Sequence, residues 1–86
     1  MDVTTTRWTV ELLLSERDGR TYAEARLHTG LPEPLTATGS ARLSPEDRTD
    51  VAEIGYELAA ARALAHLGQL LLDTAQLDVD ALNAAP

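Results

Sequence analysis

Three stretches of this chain alternate with a period of two before the pattern changes once, near residue 50, to a long run at helical spacing. That order of periodicities points to an α+β domain: a three-stranded antiparallel sheet followed by, and packed on, one long C-terminal helix. The first stretch, 7–14, sets Trp8, Val10, Leu12 and Leu14 against Arg7, Thr9, Glu11 and Leu13. Asp18-Gly19 follows within a polar segment and marks a tight turn, because glycine accepts positive φ. In the second stretch, 21–28, Ala23, Ala25 and Leu27 share one face, with Tyr22, Glu24, Arg26 and His28 on the other. Gly30, Pro32 and Pro34 then interrupt the pattern. The third stretch, 35–43, opposes Leu35, Ala37, Gly39, Ala41 and Leu43 to Thr36, Thr38, Ser40 and Arg42. Alanine and glycine cannot fill a core alone, so something must pack closely over this face.

Ser44-Pro45-Glu46-Asp47 reads as a cap with proline at the first helical position. Asp50 with Glu53 reads as a capping box that starts the long helix, expected over 51–75. At 100° per residue, Ile54, Ala61, Leu64, Ala65, Gly68, Leu71, Leu72 and Ala75 gather on one face, the expected core face. Arg62, His66, Gln69 and Asp73 form the expected opposite, polar stripe. Leu12, Leu14, Leu27, Leu43 and Trp8 are expected to frame the contact with the sheet. The tail, 77–86, is expected to be a short helical turn near 78–83 or to fray.

Eighty-six residues make one domain with a modest core. With no cysteine, disulfides and thiolate metal sites are excluded. Met1 to Thr6 is polar and no apolar run is long enough to span a bilayer, so neither a signal peptide nor a membrane segment is expected, and a cytoplasmic location is. Fourteen carboxylates face seven arginines, for a net charge of −7, a surface that repels polyphosphate backbones. His28 and His66 stand on different elements, without the local ligand spacing of a zinc site. Glu46, Asp47, Asp50 and Glu53 have the chemistry for a hard cation, but capping and the helix dipole account for them more simply. No nucleophile elbow and no glycine-rich phosphate loop occurs. The chain therefore reads as a non-enzymatic protein without cofactor or metal, with a small-ligand or metal protein built on the 47–53 cluster as the least favoured alternative.

Two surfaces are left over. Leu67, at its edge, and Leu70 fall outside the expected core arc, with Ala63 and Tyr56 nearby, and a homodimer interface is expected there. On the outer sheet face, Arg20, Arg26, Arg42 and Tyr22 are the candidate contacts; the three arginines are the ones that could meet RNA phosphates, and they are interleaved with carboxylates.

The hairpin "WTVELLLSERDGRTYAEARL", the third strand ending "GSARLSPEDRTD" and Glu53-Ile54-Gly55 followed by Glu57 to Leu64 resemble a family of small actinobacterial proteins of unknown function with a dsRBD-like fold. The resemblance covers about Trp8 to Leu72. It implies dimeric, cytosolic proteins, some associated with dormancy or stress. Their layout is similar to part of the ribosome hibernation factors, which makes ribosome or RNA binding the alternative function. The acidic helix start and the absence of lysine disfavour that alternative, since duplex RNA is gripped through its phosphates. The expected function is a small interaction protein that pairs with itself or with another protein.

Overall fold

A computed structural model describes residues 2–42 and 52–84 of the chain. Three strands, β1 (Thr9–Arg17), β2 (Arg20–His28) and β3 (Leu35–Arg42), precede one helix, α1 (Ala52–Asn83). The sheet is antiparallel in the order β1-β2-β3. The α+β class and the β-β-β-α order agree with the sequence.

The first hairpin turns on two residues alone, Asp18 (φ 51°) and Gly19 (φ 75°), the left-handed pair that matches the twist of the flanking strands. So short a turn lets the ladder continue through Glu16↔Thr21 and Arg17↔Arg20. β1 thus extends three residues beyond the expected 7–14, and Trp8 lies just before it. Register sets the two sheet faces. Val10, Leu12 and Leu14 of β1 share the inner face with Ala23, Ala25 and Leu27 of β2 and Leu35, Ala37, Gly39 and Ala41 of β3.

The helix lies across β2 and β3 and hardly touches β1. It meets the sheet on Ala59, Ala63 and Leu67, one residue per turn, with Leu71 partly packed beyond them. This corrects the expected core face, most of which, including Ile54, Ala61, Leu64, Ala65, Gly68 and Leu72, is exposed. The reason is the smallness of the sheet surface. A Cβ built on Gly39 would stand 2.7 Å from the Ala59 carbonyl oxygen and closer still to the Ala63 backbone nitrogen. At that separation only an alanine face fits; a face of leucines would hold the helix off.

The buried apolar core among the described residues is correspondingly small: Ala23, Ala25, Leu27, Ala41, Ala59, Ala63 and Leu67. Thr21 is buried beside it, beneath Gly55. Leu12, Leu14 and Trp8, expected to frame the core, are exposed. The other framing residue, Leu43, and the caps at Ser44–Asp47 and Asp50 lie outside the described residues.

The helix is also longer than expected, 32 residues rather than an end near Ala75. Nothing stops it: neither proline nor glycine follows Gly68 until Pro86. Gln76 donates to Asp80, 2.9 Å away, and so supports the added turns. At 1.5 Å per residue α1 is about 48 Å long, whereas a nine-residue strand spans about 30 Å. The last turns overhang the sheet, and every described residue from Ala75 onward is exposed.

Candidate interaction surfaces

The two flanks of α1 differ. On one, the Arg62 guanidinium (Nη1) donates to the Ser40 carbonyl at 2.7 Å and His66 Nδ1 donates to the Thr38 carbonyl at 2.6 Å. Both carbonyls face away from β2, so these side chains, one turn apart, shut the free edge of β3. The polar stripe read from the sequence therefore has a structural use at the side of the sheet, not opposite to it. The other flank, with Leu64 and Leu71, faces the β1 side, where Val10, Leu12 and Leu14 each stay more than a third exposed. Leu12 keeps 38 % of its surface exposed on what is formally the inside of the sheet.

Away from the sheet runs a third line: Ile54, Leu58, Ala61, Ala65, Gly68, Leu72, Ala75, Val79 and Leu82. Their spacing alternates four and three without a break, the a/d pattern of a helix that pairs with another helix. All nine are exposed, Leu72 at 67 % and Leu82 at 79 %. The line extends over the overhang, where this chain's own sheet cannot reach. Gly68 belongs to it, and a Cβ there would meet nothing within 4 Å. Glycine costs roughly 1 kcal/mol against alanine inside a helix, and no contact within the chain calls for it. Gly68→Ala should therefore raise the folding stability of the single chain by up to about 1 kcal/mol. A thermal melt at low protein concentration reads this, and a drop in stability would contradict the open surroundings of Gly68.

The expected interface residues separate accordingly. Ala63 and Leu67 are buried in the chain's own core, and Tyr56 and Leu70 are half-buried beside it. A second chain cannot reach Ala63 or Leu67 without displacing the sheet. The nine-residue seam was missed, although its four–three spacing stands in the sequence.

On the outer sheet face Arg26 is taken up by carboxylates: its Nη2 lies 2.6 Å from Glu24 and its Nη1 3.9 Å from Glu11. His28 stands 3.7 Å from the same Glu11. Arg20 and Arg42 lie at the other end, in register with each other and with Arg17, which the sequence reading did not single out. Tyr22 is exposed in the next row. Among the described residues no group of three or more metal-ligating side chains converges, and no helix is long and apolar enough to cross a membrane. The acidic group proposed for a hard cation lies, apart from Glu53, outside the described residues.

The model of the Rv2632c-like family matches residues 6–86. An uncharacterised protein of Mycobacterium tuberculosis (strain CDC 1551 / Oshkosh), MT1780, is 44% identical over 79 residues, covering 92% of this chain and 82% of its own. Rv2632c of M. tuberculosis (strain ATCC 25618 / H37Rv), also uncharacterised, is 40% identical over 77 residues, with coverages of 90% and 81%. A crystal structure of Rv2632c superposes with a TM-score of 0.87 at 36% identity, covering the whole of both chains. From its sequence and from its fold alike, the chain belongs to the Rv2632c-like family, whose members here are of unknown function.

Proposed function

We propose that this protein is a non-catalytic interaction module that works as a homodimer, joined through the a/d seam of α1. The observation that carries the reading is the unbroken seam from Ile54 to Leu82, exposed throughout and longer than the sheet beneath it.

The seam fits a second copy of itself best when the helices run antiparallel. Ala65 then meets the partner's Gly68, Leu72 faces Ala61, and Leu58 faces Ala75, so that large side chains meet small ones along the contact. A parallel pair would stack Ala61, Ala65 and Gly68 on their own copies and leave a gap at the centre. In the antiparallel pair the overhang of each helix lies against the first turns of the other.

Ala65→Glu tests the reading, because Ala65 is exposed in the single chain and central in the pair. Sedimentation equilibrium at tens of micromolar should show a dimer for the natural chain and a monomer for the variant, with unchanged helix content. A natural chain that sediments as a monomer sinks the proposal. Leu82→Cys tests the direction: it should resist disulfide cross-linking between chains, since antiparallel packing sets the two helix ends far apart.

A further inference from the structure

The outer face of the sheet carries a chemically different surface at its hairpin end. Register sets Ser15, Tyr22 and Ser40 in one row across the three strands, and Arg17, Arg20 and Arg42 in the next. Neighbouring strands are about 4.8 Å apart, so three guanidinium stems rise from a line roughly 10 Å long. Like charges in register weaken a sheet. The ion pairs among the described residues all lie toward the opposite end of this face, on Glu11 and Glu24. The arginine row thus opposes folding, and none of the ion pairs among the described residues offsets it.

Beside the row the twisted face forms a concavity of about 610 Å³, lined mainly by Leu13, Ser15, Tyr22, Glu24, Thr38 and Ser40, with His66 of α1 also reaching it. That volume suits a small ligand. Its one carboxylate, Glu24, is already held by Arg26 at 2.6 Å.

We propose that this face binds a nucleoside polyphosphate. The arginine row takes the phosphoryl oxygens in paired, charge-assisted hydrogen bonds. Ser15 and Ser40 offer hydroxyls to the sugar, and Tyr22 with Leu13 gives the base a flat apolar floor. A short ligand meets the three arginines alone, whereas a nucleic acid strand would run on over a chain of net charge −7. The site is independent of the helix seam, which lies on the other side of the sheet.

Isothermal titration of the full chain at about 50 mM salt, where charge attraction is weakly screened, tests the site with ATP, tripolyphosphate, adenosine and oligo(U). ATP should bind once per chain, adenosine should give no heat, and tripolyphosphate should bind more weakly than ATP. Arg17→Gln with Arg42→Gln should weaken ATP by at least about tenfold, and relief of like-charge crowding should keep that variant folded. Tyr22→Leu should weaken ATP and leave tripolyphosphate unchanged. No binding at millimolar ATP, or equal affinity in the double arginine variant, overturns the site. Tighter binding of oligo(U) than of ATP would make the face a single-strand surface and overturn the assignment to a nucleotide.

Discussion

Leu67→Ala lowers the free energy of unfolding by roughly 2–5 kcal/mol, the range for a buried leucine whose site cannot collapse. Leu67 is only 3 % exposed, and among the described residues Leu27 is the only other leucine in a fully buried apolar core otherwise made of alanine. Most of the cluster around it, Ala59 and Ala63 on the helix and Ala23, Ala25 and Ala41 on the sheet, has no side-chain length with which to fill the void. Typical domains are stable by only about 5–15 kcal/mol, and a chain this small sits low in that range. Urea melts of natural and variant chain at one fixed concentration, compared by midpoint, read the effect. A loss under 1 kcal/mol would mean that the alanine layer closes over the site. Leu72→Ala is the matched control: Leu72 is two-thirds exposed, and its truncation should leave the folding of the single chain nearly unchanged.

Gly39→Ala carries the second large effect, a loss of roughly 1–3 kcal/mol. The sign is the informative part. In a strand interior glycine weakens the sheet, so alanine would ordinarily be an improvement. Here the added methyl would press on the backbone of α1 between Ala59 and Ala63, and backbone has no rotamer by which to yield. The helix must rise off β3, and the bonds from Arg62 to Ser40 and from His66 to Thr38 stretch with it. Denaturation midpoints together with amide exchange at the β3 edge would follow both changes. A more stable variant would show that the helix stands farther from the sheet than described.

The two largest structural facts were unequally legible in the sequence. Asp18-Gly19 announced the hairpin, because few dipeptides accept two consecutive positive φ values. The alternation of Ala23, Ala25 and Leu27 against Glu24, Arg26 and His28 assigned the faces of β2 correctly. The helix was harder. It has two apolar faces, and hydrophobicity alone favours the one richer in leucine, which turns out to point away from the sheet. What selects the face that packs is fit to the partner surface: Ala37, Gly39 and Ala41 accept Ala59 and Ala63 and exclude larger residues. That selection is a property of two segments jointly, and no window along α1 contains it. The overrun past Ala75 was hidden for a related reason. Asp78, Asp80 and Asn83 look like a solvated tail until the apolar line through Ala75, Val79 and Leu82 is followed across them. The arginine row, likewise, exists only once pairing puts Arg17 beside Arg20 and Arg20 beside Arg42.

The asymmetry between the two sheet edges limits what assemblies this chain can make. Arg62 and His66 occupy two outward carbonyls of β3, while none of the described elements pairs with the outer edge of β1. Stacking sheets head to tail, β1 of one chain on β3 of the next, is the step that lets strands add without end. With two of its outward carbonyls taken, β3 is the poorer acceptor for that step. The strand-to-strand contact left most open is β1 with another β1, a self-complementary join that uses up both open edges when it forms. A sheet built this way closes at six strands. Two polar side chains, one turn apart on a helix, thereby tilt a pairing protein away from the strand addition that makes a fibre.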